Sequence, residues 1–233
     1  MFFDPLQLIL VGPFLILGIW AQFRVKSAFA RGSQIHARSG LSGAQVARAI
    51  LDRNDMRDVD VEVTQGMLSD HFDPKAGVVR LSPEVYGGTN LAALGVAAHE
   101  CGHALQKKTG YELMTIRNAA VPMANIGTQM SWIIFFVGLM LTASAPVLGH
   151  GIMWVGVGLF SLVVFFQVVN LPVEFNASSR AKQILVSERF ITEDELPVVK
   201  SVLGAAAMTY VAATLTAVAT LIFYILRAQG DRR

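Results

Sequence analysis

Asn118 to Val173 reads NAAVPMANIGTQMSWIIFFVGLMLTASAPVLGHGIMWVGVGLFSLVVFFQVVNLPV, a run of 56 residues without a Lys, Arg, Asp or Glu. A membrane-spanning helix needs about 20 apolar residues, so this run holds two, over 130–147 and 152–171. Pro146 to Gly151 (PVLGHG) supplies the turn between them. Outward on either side the pattern repeats. Residues 5–23 (PLQLILVGPFLILGIWAQF) carry no charge, and neither do residues 201–226, with a span over 204–226. Four spans result.

The composition agrees. Of the 233 residues 53% are hydrophobic and only 15% charged, against about 25% charged in an ordinary soluble domain. The mean hydropathy is +0.50. Disorder and coiled coil are excluded by so few charges. A net charge of +2 gives no reason to expect nucleic acid as a partner. Cys101 is the one cysteine, so neither an intramolecular disulfide nor a CxxC site can form. Ala28-Phe29-Ala30 has the look of a signal-peptide cleavage site. However, Asp4 precedes the first apolar run while Arg24 and Lys26 follow it, the reverse of a secretory signal. The first span reads as an uncleaved anchor.

Four spans place residues 24–117 and 172–200 on one face, with both termini on the other. Arg24, Lys26, Arg31, Lys108, Arg117, Arg180 and Lys182 flank the spans on that face, which by the positive-inside rule is cytoplasmic. The tail Gly230-Asp231-Arg232-Arg233 reads as a solvated anchor on the opposite face.

Residues 24–117 read as a small α/β lobe. Ser42-Gly43-Ala44-Gln45 fits a capping box ahead of an apolar stripe at Val46, Ala47, Ile50 and Leu51, so a helix should run to about Arg53. Val59, Val61 and Val63 alternate with Asp60, Glu62 and Thr64, which is strand periodicity. The turn-rich stretch from Ser69 to Gly77 leads into a second short strand, Val78 to Leu81. Thr89 or Asn90 can then cap a helix over 91–107.

That helix contains His99-Glu100-Cys101-Gly102-His103, an HExxH pattern. Four residues advance an α-helix by about 400°, so His99 and His103 share one face, one turn apart. Each can offer a ring nitrogen to a single Zn²⁺. Glu100 lies about 100° around the helix, beside the metal but not on it. It is placed to take a proton from a zinc-bound water and pass it to a leaving amine. By chance, a chain of this composition would contain the pattern about 0.003 times. Cys101 points away and reads as a small buried residue.

A catalytic zinc wants a third protein ligand and one open position. His150, in the turn between the middle spans, lies on the wrong face. His36 and His71 lie on the correct one. So does Glu174, a lone carboxylate ending the uncharged run, which is costly in such a place unless paired. Pro172 can start a new helix turn there, and Ala177 and Ala181 would then leave room for another helix. The alternative for Glu174 is an interfacial charge at a helix start, which the dipole alone would favour. Glu174 leads among these candidates and His71 follows.

VAAHECGHALQ (Val96 to Gln106), DHFDPKAGVVRLSPEVY (Asp70 to Tyr86) and LPVEFNASSRA (Leu171 to Ala181) together resemble the YugP-type membrane zinc metallopeptidases, over nearly the whole chain. That family is in turn similar to the HtpX-like and CAAX-prenyl membrane endopeptidases, whose third zinc ligand is a glutamate in a downstream helix. The resemblance implies His99, His103 and Glu174 as ligands of one zinc per chain, with Glu100 as general base. It departs at Ser178, where those relatives carry an aspartate thought to orient a zinc-bound histidine. A hydroxyl can accept an imidazole N–H without the charge, and Asn176 is the residue that could compensate.

The expected architecture is therefore a mainly α multi-pass membrane protein with a small zincin-like α/β metalloprotease lobe. The expected activity is hydrolysis of peptide bonds in protein or peptide substrates near the membrane surface. The expected location is the bacterial inner (plasma) membrane, with lipid as the surrounding partner. The strand Val78 to Leu81 is expected to bind substrate backbone by strand addition, and Arg180, Tyr111 and His71 are candidates to steady the oxyanion. Two other readings compete. An intramembrane protease would need the HExxH helix to span, but its charge-poor part is only about 16 residues and no Asp-Gly ligand motif occurs. A non-catalytic zinc-binding scaffold or quality-control adaptor would want a closed, cysteine-rich site.

Overall fold

The computed structural model describes residues 4–66 and 69–230. Among them the chain runs α1 (Pro5–Ser33), α2 (Gly43–Arg53), β1 (Asp60–Val63), β2 (His71–Asp73), β3 (Val78–Leu81), α3 (Pro83–Tyr86), α4 (Leu91–Lys108), α5 (Glu112–Leu141), α6 (Pro146–Ser187) and α7 (Leu196–Gln229). Helices α1, α5, α6 and α7 are long and apolar enough to cross a membrane. They cover the three charge-free runs, the middle one shared by α5 and α6, and extend past them. Of the basic tail, Asp231, Arg232 and Arg233 lie outside the described residues.

The helix boundaries differ from expectation at two prolines. The stretch PVLGHG is the first turns of α6, not a connection, and the break between α5 and α6 falls at 142–145. Pro146 opens the helix, where its missing N–H is no loss. Pro172 does not start a new helix either. It lies inside α6, which continues unbroken to Ser187, so the last apolar span and the segment carrying Glu174 are one helix.

The chain divides into two compact units. The apolar unit comprises the chain up to Trp20, Thr115 to Leu171, and the chain from Thr209. Phe135 of α5 is fully buried there, its ring stacked on Tyr224 of α7 at 3.9 Å between centroids and 7° between planes. Met153 and Val157 of α6 and Phe223 of α7 complete this core. A Cβ on Gly156 would lie 2.9 Å from the Phe135 backbone nitrogen, so glycine there is what lets α5 and α6 approach. Gly158 is open to 4 Å and plays no such part. Ile9, Met140 and Val147 are large apolar residues left exposed, as a lipid-facing surface requires. Asn170, buried in α6, is satisfied by the Arg117 Nε–H at 3.0 Å.

The polar unit comprises Ala21 to Met114 and Pro172 to Met208. Ser42 and Gln45 form the expected capping box at the start of α2. β3 is the middle strand of a three-stranded sheet in the order β1-β3-β2. It pairs parallel to β1, with Val61 opposite Val79, and antiparallel to β2, with Phe72 opposite Val79. The expectation that β3 accepts a substrate strand is thereby corrected, because both of its edges are already hydrogen-bonded within the sheet. β2 was hidden in the turn-rich stretch. Asp73 closes the β2–β3 turn by accepting from the Lys75 and Ala76 amides. The Ala76 amide and then the Arg80 guanidinium hold its carboxyl down at about 2.

Helix α4 starts at Asn90, whose side chain accepts from the Ala93 N–H at 2.9 Å. Leu91, Leu94, Ala97, Ala98, Cys101, Ala104 and Leu105 along it join Val46, Ile50 and Leu51 of α2, Val79 and Leu81 of β3, and Val173, Ala181 and Leu185 of α6 in one core. A helix buried on nearly every side can keep polar side chains only where they have partners.

Candidate metal centre

On α4, His99 and His103 project from one face with their rings edge-to-face, 4.8 Å apart at 85°. Glu174 of α6 meets them. Its Oε2 lies 3.3 Å from His99 Nε2 and 3.5 Å from His103 Nε2. Glu174 is 3% exposed and His103 8%. Among the described residues these three form the one group able to hold a metal ion, with their ligand atoms within 4.8 Å of one another.

The donor set fits zinc. A tetrahedral site with bonds of about 2.0–2.1 Å has edges of about 3.3–3.4 Å between ligand atoms, and the carboxylate-to-imidazole separations are of that size. Moreover, Glu174 Oε2 is buried without a hydrogen-bond partner among the described residues. A buried carboxylate oxygen left so is expensive, and a cation shared with two imidazole nitrogens removes the penalty.

The close approach of the two helices depends on one small residue. A Cβ on Gly102 would lie 2.7 Å from the Ala177 carbonyl oxygen and 3.2 Å from its Cα. Ala177 and Ala181 are fully buried on the facing side of α6. Gly102→Ala is therefore expected to lower stability by about 1–3 kcal/mol through overpacking and to reduce zinc content, since it pushes Glu174 away from both histidines. Thermal unfolding and metal analysis of the detergent-purified variant read both effects. Gly204→Ala, in α7 where nothing lies within 4 Å, should leave both unchanged or raise the melting temperature.

Each histidine is held at its other nitrogen. Ser178 Oγ lies 3.1 Å from His99 Nδ1, so the hydroxyl stands where the resemblance led one to expect an aspartate. Gln106 Oε1 lies 3.0 Å from His103 Nδ1. Asn176 does not substitute for Ser178. Its Oδ1 accepts from Gln106 Nε2 at 3.0 Å and from Arg180 Nε at 2.8 Å. Gln106 went unnoticed in the sequence, although a polar residue three positions after His103 on a buried helix is the signal that could have revealed it.

Glu100 is 7% exposed. Burial pushes its carboxyl above the usual carboxylate range, against the pull of His99 and His103, while Glu174 and Asp70 add to the rise. Asp70 is fixed nearby in the chain's own bonding, accepting from the Ser82 N–H at 2.7 Å and its Oγ–H at 3.0 Å. Burial likewise pushes the Cys101 thiol up. That thiol faces the Ala47 carbonyl oxygen on α2, 3.6 Å away.

The remaining candidates are not part of the metal-ligating group. His71 is an exposed residue on β2 with Nδ1 2.8 Å from the Ser69 carbonyl oxygen. His36 is exposed, with Nδ1 3.2 Å from Thr89 Oγ1. His150 lies in the first turns of α6, Nδ1 2.7 Å from the Pro146 carbonyl oxygen. Tyr111 packs against the core of the polar unit. Arg180 is engaged by Asn176.

Residues 7–229 match a family described as "Putative neutral zinc metallopeptidase". Over 210 residues the sequence is 48% identical to a Bacillus subtilis (strain 168) protein described as "Putative membrane protease YugP", a match covering 90% of this chain and 91% of that protein. No solved structure matches.

Proposed function

We propose, because this chain belongs to the neutral zinc metallopeptidase family, that it is a zinc-dependent endopeptidase of the membrane in which His99, His103 and Glu174 hold one zinc ion and Glu100 is the general base. The chain is a mainly helical multi-pass membrane protein. The observation that carries the reading is the buried, unpartnered Oε2 of Glu174 set 3.3 Å and 3.5 Å from two imidazole nitrogens. Glu100 is the residue next to the first of those histidines.

When bound, zinc supplies Lewis-acid polarisation of the scissile carbonyl and lowers the pKa of water to about 7. The chain's own groups do the rest. Glu100 takes a proton from the attacking water and delivers it to the departing amine nitrogen, so the peptide C–N bond breaks with the nitrogen neutral. Ser178 and Gln106 keep the two imidazoles oriented. β2, an outer strand of the sheet that packs on α4, takes the place of β3 as the strand offered to a substrate backbone.

In this reading the lobe is zincin-like and comprises residues 24–117 together with the segment 172–200. The anchoring spans are 5–23, 130–147, 152–171 and 204–226. Glu174 directly follows the 56-residue uncharged run, which supports cleavage close to the membrane surface. The basic residues flanking the spans support a cytoplasmic lobe in a bacterial inner membrane.

The test uses the full chain purified in detergent. It is expected to contain about one zinc per chain and to cleave a fluorescently quenched unfolded protein. A chelator should abolish cleavage, and added zinc should restore it. A protein that holds no zinc even when zinc is supplied would overturn the reading.

A further inference from the structure

Gln106 is fully buried, and all of its amide is engaged. Nε2 donates to the Val173 carbonyl oxygen at 2.7 Å and to Asn176 Oδ1 at 3.0 Å. Oε1 lies 3.0 Å from His103 Nδ1. A backbone carbonyl has no proton to give, so the NH₂ end of the amide must be the end facing Val173. The oxygen is then fixed towards His103. An amide oxygen only accepts, so His103 Nδ1 must be the donor and must carry the ring proton. In the neutral ring this leaves Nε2 with its lone pair free, and Nε2 is the nitrogen 3.5 Å from Glu174 Oε2.

The two histidines differ in this respect. His99 Nδ1 faces the hydroxyl of Ser178, which can donate or accept by rotating, so that contact orients the ring without choosing its tautomer. The His103 contact does both. It also reaches the second helix at the residue just before Glu174, because Val173 is the acceptor of the Gln106 amide.

We propose that Gln106 is the positioning residue of the metal centre: its amide locks His103 in the tautomer protonated on Nδ1 and ties that ring to the backbone that carries Glu174. This rests on the zinc reading above. One side chain thereby holds a ligand from α4 in register with the ligand from α6. Asn176, whose Oδ1 accepts from both Gln106 and Arg180, fixes the amide from behind. Loss of an outer hydrogen-bond partner of this kind lowers metal affinity by about 10–100-fold.

The experiment combines zinc affinity with the state of the ring proton, on the full chain in detergent. Zinc affinity is measured by competition with a chromophoric chelator for wild type, Gln106→Met, Gln106→Glu and Ser178→Ala. The imidazole nitrogens of the zinc-loaded proteins are followed by ¹H–¹⁵N spectroscopy on ¹⁵N-histidine. Wild type is expected to show His103 with the metal on Nε2 and a slowly exchanging proton on Nδ1. Gln106→Met keeps the side-chain volume but removes the acceptor. It should weaken zinc binding by about 10–100-fold and speed exchange of the Nδ1 proton. Gln106→Glu retains the acceptor facing His103 but loses the donor to Val173 and Asn176, so it should keep the slow Nδ1 proton while its zinc affinity falls below that of wild type. Ser178→Ala should lose less than Gln106→Met. The proposal is overturned if Gln106→Met binds zinc as wild type does. It is equally overturned if the Nδ1 proton exchanges as fast in Gln106→Glu as in Gln106→Met, because an acceptor facing His103 would then not be what holds that proton. Should Gln106→Met fail to fold, the wild-type spectrum decides, because a proton on Nε2 of His103 contradicts the assignment. Wild type without zinc would defeat the metallopeptidase reading itself, an outcome distinct from zinc-loaded wild type with an indifferent Gln106.

Discussion

Glu100→Gln is expected to lower the rate of peptide hydrolysis by about 10²–10⁴-fold while zinc content stays at the wild-type level. The substitution keeps the size and shape of a side chain that is 7% exposed, so the packing of α4 should survive it. It removes only the ability to take up and release a proton. The loss should therefore fall on kcat with little change in KM, the signature of an interaction needed in the transition state. Steady-state kinetics on a quenched peptide, with metal analysis of the same preparation, measure both sides of this. Retained activity would remove Glu100 from the mechanism and return the non-catalytic scaffold to contention. Its effect should exceed that of Ser178→Ala, which touches only the outer nitrogen of His99.

Glu174→Ala is expected to lose most of the bound zinc, and with it all measurable hydrolysis. Of the three donors, Glu174 is the only one with a negative charge and the only one from α6, so its removal leaves two neutral imidazoles on one helix. Such a pair offers neither charge compensation nor a third corner for the metal. The affinity loss should exceed the roughly 10–100-fold expected from an outer partner. A second readout is the melting temperature with and without zinc. A ligand present at 100 times its Kd stabilises by about 2.7 kcal/mol, and that zinc-dependent increment should vanish in Glu174→Ala. Undiminished zinc would mean that the third ligand lies elsewhere, with the exposed His71 the first residue to exchange.

The sequence made some of this legible and concealed the rest for physical reasons. His99, Glu100 and His103 are readable because helical geometry converts a spacing of four into a shared face without any tertiary information. Glu174 stood out as a charge at the end of a long uncharged run, but its meeting with the histidines depends on how α6 crosses α4, which spacing alone does not encode. The crossing is set by Gly102 against Ala177, two small residues that carry no signal until their partners are known. β2 was missed because three residues are too few to display alternation, and Asp73 and Gly77 advertise the turn more strongly than the strand. The place of β3 in the middle of the sheet follows from a parallel pairing with β1 over a long connection, and local patterns are blind to such pairings. Pro172 looked like a boundary because proline removes one helical hydrogen bond, yet α6 runs through it, as long apolar helices tolerate. Gln106 had the weakest signal of all, being one amide at the end of a helix whose other polar residues drew the eye.

Cys101 follows Glu100 in sequence, yet its sulfur faces Ala47 inside the core, fully buried, and burial keeps it a thiol. With no second cysteine in the chain, its fold is indifferent to whether the adjoining compartment is oxidising or reducing. The native protein is therefore expected to be silent towards thiol-directed probes. Cysteines introduced singly at exposed positions such as Lys75 or Gly151 would report from either side of an intact membrane against an empty background, so the orientation of the lobe can be mapped without first altering the chain to remove its own thiol.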